Sequence, residues 1–257
     1  MMKDVKFQFE IKNFVVVGAS SGMGRQITLD LAEAGAHVLA VARNEERLQE
    51  VQKSFPDLIE VQSLDVLEAG PEEWDCVLGE FVEKYGKGHG GGYTAGISGM
   101  TSLRMFDEDL AHNIVDTSFW GMISFIRQIT KKKIAEKGAS FVVFSSIAAH
   151  IGNQGQFAYT AAKGAVLSSV RAIAKEICRA QQRINSVSPG WVETNMTHEA
   201  AQGDGVVQTQ RVFQRYLLGT GQPEDVSGTV LFLLSDAARW ITGTDIVVDG
   251  GSLLGTD

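Results

Sequence analysis

Three consecutive features constrain this chain most: the run Phe14-Val15-Val16-Val17, the turn Gly18-Ala19-Ser20-Ser21-Gly22-Met23-Gly24, and a helix-period segment with Ile27, Leu29, Leu31 and Ala32 that stops at Gly35. A β-branched apolar run bounded by glycine suits a fully buried strand, and the spacing beyond it suits a helix. Strand, glycine turn and helix in this order direct amide N–H groups and the positive end of a helix to one point. That is how a backbone receives a phosphate. The spacing is G-x-x-x-G-x-G, one residue looser than the common dinucleotide fingerprint, so a structural turn is the alternative. Its place between a buried strand and a helix favours nucleotide binding.

The rest of the chain supplies neighbours for that strand. Val38 to Ala42 reads as a second strand ending at Arg43, about 20 residues past the glycine turn, where the ribose of a dinucleotide would arrive. An acidic residue there would bind the 2′-hydroxyl and repel a 2′-phosphate. Ala42-Arg43-Asn44 instead favours NADP(H) over NAD(H); the alternative is that Arg43 pairs with Glu45 or Glu46. Helices are expected over Glu45–Phe55, Glu73–Tyr85, Glu108–Lys133 and Pro223–Leu234. Further strands are expected at Leu58–Val61, Phe141–Phe144, Ile184–Ser188 and Asp245–Asp249. Strands alternating with helices through short links pair in parallel by right-handed crossovers, which gives an α/β, doubly wound sheet. No linker divides residues 1–257, so one domain is expected. The polar stretch 194–221 lacks periodicity and reads as a substrate lid. The fourth strand falls on Gly88-His89-Gly90-Gly91-Gly92-Tyr93. Its glycines predict a thin spot in the core, either filled by bulky neighbours, left partly open, or ordered with cofactor.

A net charge of −8 argues against binding nucleic acid through its phosphates. Cys76 and Cys178 lie far apart in helix-like segments and read as buried or half-buried free thiols of a reducing compartment. The N-terminal stretch has no apolar core, and no run approaches the roughly 18 apolar residues of a membrane span. A cytoplasmic protein with no membrane partner is expected.

The chemistry concentrates after Phe144. Ser145-Ser146 falls where the strand ends, and Tyr159 and Lys163 follow in an Ala-rich segment of high helix propensity. Residues four apart share a helix face, so phenol and ammonium point the same way. A nearby cation favours phenolate and lowers the tyrosine pKa, as proton exchange with an alcohol or ketone near neutral pH requires. An ordinary helix face is the alternative reading of that pair alone.

Taken together, these residues resemble the short-chain dehydrogenase/reductase family from Val17 to Gly251. The glycine turn resembles its cofactor turn (Gly18, Ser20, Ser21, Gly22, Met23, Gly24), and Asp65-Val66 its adenine-contacting pair. Ser146, Tyr159 and Lys163 match its catalytic set. Pro189-Gly190-Trp191-Val192-Glu193-Thr194 resembles the segment that holds the nicotinamide carboxamide, and Asp249-Gly250-Gly251 its C-terminal signature. The resemblance implies a Rossmann-type domain with about seven parallel strands and NADP(H)-dependent interconversion of a ketone and a secondary alcohol, with no metal. Within the family the pattern is most similar to 3-oxoacyl-thioester (acyl carrier protein) reductases. Sugar, polyol or steroid dehydrogenases and a non-catalytic NADP(H)-sensing protein are the alternatives. Two positions depart: the family's Asn-Asn-Ala-Gly appears as Tyr93-Thr94-Ala95-Gly96, with Ala95 and Gly96 still facing the cofactor, and its relay asparagine falls on Ser118. Serine offers one hydroxyl where asparagine offers two amide donors and a carbonyl, which puts the relay in question. Ser98, His150, Ile151, Gln156, Trp191 and Met196 are expected to line the substrate pocket, with His150 either touching substrate or capping the loop. Lys131 to Lys133 and Arg171 either dock an acidic carrier protein or are solvated surface. A homotetramer or homodimer is implied, through the helices around 108–133 and 158–179 and the C-terminal strand.

Overall fold

The strand β1 (Asn13–Val17) is buried at every position, as a strand covered on both faces must be. The computed structural model describes residues 5–194, 196–197 and 215–255, so most of the stretch expected to form a lid lies outside the described residues. Phe14 and Val16 belong to an apolar cluster with Ile27 and Leu31 of α1 (Gly22–Glu33) and Val230 of α8 (Pro223–Leu234). Val15 and Val17 belong to the opposite cluster, with Trp74 and Leu78 of α3 (Pro71–Tyr85), Phe125 of α5 (Gly121–Ile129) and Val166 of α7 (Phe157–Ile177). Each such side chain, fully buried, contributes about 1.5–3 kcal/mol relative to exposure.

Seven parallel strands form one sheet in the order β3-β2-β1-β4-β5-β6-β7. They are β1, β2 (His37–Ala42), β3 (Ile59–Ser63), β4 (Gly88–Tyr93), β5 (Ala135–Phe144), β6 (Arg183–Pro189) and β7 (Asp245–Val248). The chain winds outward from β1 to β3, then returns to place β4 on the other side of β1. That reversal opens a crevice beyond the carboxyl ends of β1 and β4. α2 (Glu45–Gln52) follows β2, and its first turn is closed by the Asn44 side chain, which accepts from Arg47 N–H at 2.8 Å.

Gly90 and Gly91 of β4 are filled around, whereas a β-carbon at Gly92 would meet only the Val142 carbonyl oxygen, at 3.9 Å. A β-carbon at Gly91 would lie 2.6 Å from the Val15 carbonyl oxygen, 3.1 Å from Ile129 Cδ1 and 3.4 Å from Phe125 Cζ. The strand is thin because its neighbours occupy the space. Its pairing with β5 shifts register between Gly88 and Gly90. β5 itself starts at Ala135 and contains Gly138 at φ +87°, a glycine that the sequence places before the strand.

The helix expected from Glu108 to Lys133 is three pieces. α4 (Glu108–Val115) runs into a π-helical turn, Asp116–Trp120, and then into α5, which ends at Ile129. The buried Tyr93 phenol donates to the Thr117 carbonyl oxygen at 2.6 Å, inside that π turn. Lys131 and Lys133 bind the Asp75 carboxylate at 2.9 and 3.2 Å, which ties these two lysines to α3. Cys76 and Cys178 are free and exposed, not buried as expected. No helix among the described residues is long and apolar enough to cross a membrane.

Gly91→Ala should therefore destabilise the protein by about 1–3 kcal/mol, the usual cost of overpacking. Urea unfolding should show a lower midpoint with an unchanged slope; an unaltered midpoint would contradict the packing around β4.

Candidate active site

The crevice holds a cleft of about 610 Å³, walled by the glycine turn, the ends of β1, β2 and β4, and the loop after β3. Its lining includes Gly18, Ser20, Ser21, Gly22, Met23 and Gly24, and at its far end Arg43, Asn44, Asp65 and Val66, as the sequence predicts. Ala95, Gly96 and Thr194 complete it. Gly18 has φ +88°, in the left-handed region that favours glycine. A β-carbon on Gly24 would run into the Gly18 carbonyl oxygen and Thr94 Oγ1, so α1 can seat against the turn only without one. The first turn of α1 carries no acidic residue, and Ser21 makes no side-chain cap. Its leading N–H groups, which have no intrahelical acceptor, remain for an anion. This cradle suits the pyrophosphate of a dinucleotide.

A recess of about 90 Å³ continues the cleft past Thr94 and Gly96 to Ser146, Tyr159, Lys163, Pro189, Gly190 and Val192. It opens in turn into a cavity of about 460 Å³ that shares Ser146, Tyr159, Gly190 and Met196 with it. The sequence-predicted catalytic and nicotinamide-side residues thus meet where two larger spaces join.

Lys163 is buried in α7, and its Nζ donates to the Phe144 carbonyl oxygen at 2.9 Å. Ser145 Oγ donates to the Lys163 carbonyl oxygen at 2.9 Å, so α7 is fastened twice to the end of β5. Burial pulls the Lys163 ammonium down to about 8. Burial also raises the Tyr159 phenol above its ordinary value, against a smaller downward pull from its hydrogen bond with Ser146. The expected lowering by the lysine is not what this geometry produces. Lys163 Nζ lies 5.7 Å from the Tyr159 ring centroid, its nearest acceptor is a carbonyl, and desolvation of the phenol outweighs its field.

Ser118 sits in the π turn with its hydroxyl buried and without a hydrogen-bond partner. A β-carbon on Gly96 would lie 3.4 Å from both Ser118 Oγ and Lys163 Nζ. The structure thus brings Ser118 beside the lysine, although it lines none of the three spaces.

Of the expected substrate contacts, Ser98, Ile151, Gln156, Trp191 and Met196 line the larger inner cavity. His150 does not. It belongs to α6 (Ala148–Ile151), where successive side chains diverge, and its Nε2 meets Ser188 Oγ at 3.2 Å and Asp245 Oδ2 at 3.1 Å, towards β6 and β7. Arg43 pairs with Asp65 at 3.7 Å, not with Glu45 or Glu46.

A family described as enoyl-(acyl carrier protein) reductase matches residues 18–252. The chain is 30% identical to a 3-oxoacyl-[acyl-carrier-protein] reductase of Staphylococcus aureus, over 93% of this chain and 97% of that protein. It is 30% identical to the enzyme of the same name from Thermotoga maritima, over 96% of this chain and 100% of that one. A short-chain type dehydrogenase/reductase from Mycobacterium ulcerans superposes with a TM-score of 0.88 at 28% identity, covering 97% of this chain and 92% of that one. A short-chain dehydrogenase/reductase titled glucose/ribitol dehydrogenase from Brucella melitensis superposes with a TM-score of 0.89 at 26% identity, covering 96% and 99%.

The chain belongs to the short-chain dehydrogenase/reductase family. It is an NAD(P)-dependent oxidoreductase acting between C=O and CH–OH groups. Against that family's pattern, Thr94 stands where asparagine is usual, and its hydroxyl donates to the Val17 carbonyl oxygen at 2.8 Å. It thereby closes the ends of β1 and β4 with a hydroxyl in place of an amide. Sequence reasoning missed Arg47, which lines the cleft beside Arg43; its spacing of one helical turn from Arg43 was the available signal. It also missed Arg215, Tyr216 and Ser252 in the inner cavity, which nothing near them in the sequence announces.

The depressed Lys163 pKa has a measurable consequence. Between about 8 and the ordinary 10.5, the unfolded chain binds a proton at this position that the folded chain does not. Stability contributed here therefore rises with pH across that window and is lowest below it. Lys163→Met should flatten the rise of unfolding free energy between pH 8 and 10.5; an identical pH slope in the two proteins would contradict the buried ammonium.

Proposed function

We propose that the protein reduces a ketone to a secondary alcohol with NADPH, on a 3-oxoacyl-thioester-like substrate. The observation that carries this reading is the pairing of Ser146 and Tyr159 at the joint between the two larger spaces. Two hydroxyls converging on one point suit an oxygen that gains charge and then a proton. Reduction of an enoyl thioester also builds charge on an oxygen, as an enolate, but its final proton goes to carbon and not to the oxygen the two hydroxyls face. The description of the matching family names enoyl reduction, whereas the relatives quoted above are named for 3-oxoacyl reduction. The site chemistry favours the second.

A general acid must hold its proton at working pH, and burial keeps the phenol loaded. The nicotinamide supplies the hydride when bound. Tyr159 gives its proton to the substrate oxygen, Ser146 donates a hydrogen bond to the same oxygen, and Lys163 stands behind the phenol with its charge. Ser118, buried and unpartnered beside Lys163, is the candidate to help return a proton to that pair. The preference for NADP(H) rests on Arg43 and Arg47, two guanidinium groups at the ribose end of the cleft, of which Arg43 meets Asp65 only at 3.7 Å and keeps donors for a 2′-phosphate. An acidic carrier protein is the partner this substrate implies. Self-association as a dimer or tetramer goes with the same reading, supported by the exposed Trp120 at the head of α5; sizing in solution tests it.

A non-catalytic NADP(H)-sensing protein is the second reading, favoured by the same upward displacement of Tyr159 if no substrate relieves it. Tyr159→Phe separates the two. Turnover of 3-oxoacyl thioesters should fall by roughly 100- to 10,000-fold, with NADPH affinity nearly intact by fluorescence titration. Retained turnover refutes the assignment, and a wild type inactive on every ketone supports the sensor. In a separate measurement, Arg43→Asp should lower the NADPH-to-NADH ratio of kcat/KM by at least about tenfold, the value of one charge-assisted hydrogen bond. An unchanged ratio would remove Arg43 from cofactor choice.

A further inference from the structure

Among the described residues, the inner cavity contains one positive charge that the reaction proposed above does not use. Arg215 lines it together with Ser146 and Tyr159. The protein carries 31 acidic residues against 23 Lys and Arg, yet among the described residues no aspartate or glutamate lines this cavity. Among the described residues Arg215 has no ion-pair or hydrogen-bond partner. Its neighbours on the wall include the neutral amides of Asn153, Gln154 and Gln156, which donate hydrogen bonds without cancelling charge.

The backbone that presents Arg215 is anchored. The next residue, Tyr216, accepts a hydrogen bond at its hydroxyl from Trp191 N–H at 2.9 Å. Its ring lies flush on Gly190, where a β-carbon would be 2.8 Å from Cε1. Leu218 N–H donates to the Gly250 carbonyl oxygen at 3.0 Å, which fastens the segment to the turn after β7. Arg215, itself exposed, therefore stands on a held strand of chain at the wall of a space that Ser146 and Tyr159 also line.

We propose that Arg215 receives an anionic oxygen group, a carboxylate or a phosphate, carried by the substrate away from its reacting carbon. This deepens the carbonyl-reductase reading and rests on it for the position of the carbonyl. A guanidinium presents paired donors that match either group, and with no acid beside it the charge is available to a ligand. The anion is not one of the cofactor's phosphates. The cofactor cleft has its own cations in Arg43 and Arg47, and Arg215 is not part of its lining.

Two matched pairs of probes test this: 3-oxobutanoyl-pantetheine 4′-phosphate against 3-oxobutanoyl-pantetheine, and 4-oxopentanoate against its methyl ester. KM is measured for the wild type, Arg215→Gln and Arg215→Lys. Binding of the corresponding oxo-free compounds to the NADP-loaded protein is measured by calorimetry, so the result does not depend on turnover. In at least one pair the charged member should bind about tenfold or more tightly than the neutral one. Arg215→Gln should erase that ratio and Arg215→Lys should keep part of it. Which pair shows the ratio identifies phosphate or carboxylate as the group. Equal binding of charged and neutral members in both pairs overturns the proposal, as does a ratio that survives Arg215→Gln. A charge-dependent ratio without turnover of any ketone would sink the reductase reading and leave the anion site standing. Turnover without such a ratio would do the reverse.

Discussion

A buried ammonium is held by one carbonyl at the centre of this protein. Taking the Lys163 charge out of water is unfavourable, as its depressed pKa records. The bond to the Phe144 carbonyl and the reciprocal bond from Ser145 to the Lys163 carbonyl offset part of that. They also set the register between α7 and the end of β5. Ser146 leaves β5 one residue after the anchored Ser145, and Tyr159 stands one helical turn before Lys163. Ser146 and Tyr159 are therefore positioned by the same two hydrogen bonds that make burial of the lysine tolerable.

The sheet supplies the other half of the site by being narrow at its middle. β4 carries Gly91 where β1, Phe125 and Ile129 leave no room for a side chain, and Gly90 where the Ser140 carbonyl of β5 leaves none. Tyr93, at its end, is fully buried and donates into the π turn that breaks the helix pair α4–α5. Gly121, where α5 begins, is required by the same phenol, since a β-carbon there would lie 2.5 Å from its oxygen. The departure from the family's asparagine at Tyr93 is thus matched by structure elsewhere. A larger residue in the strand is accommodated by a smaller one in the helix, and the π turn delivers Ser118 to the side of Lys163.

Charge is distributed by task. The overall balance is acidic, but the cleft beside the glycine turn has Arg43 and Arg47 at one end, and the inner cavity has Arg215 with no acid among the described residues of its lining. The lysines at 131 and 133 are bound to Asp75. His150, a plausible pocket residue by position, serves Asp245 and the β6–β7 edge.

The sequence by itself determined the sheet, the glycine turn and the Ser146, Tyr159 and Lys163 set, because each is a local pattern. Buried runs alternate with helical periods, a turn needs glycine, and a four-residue spacing on a helix keeps two groups on one face. Element ends were less legible: the register shift between Gly88 and Gly90 and the π turn at Asp116–Trp120 depend on what packs against them. Only tertiary structure decided which way His150 turns, that Arg43 meets Asp65, that the phenol of Tyr159 is pushed up instead of down, and that Arg215 lines the inner cavity. Those outcomes depend on desolvation and on neighbours tens to hundreds of residues away, and the spacing of letters along a chain carries neither.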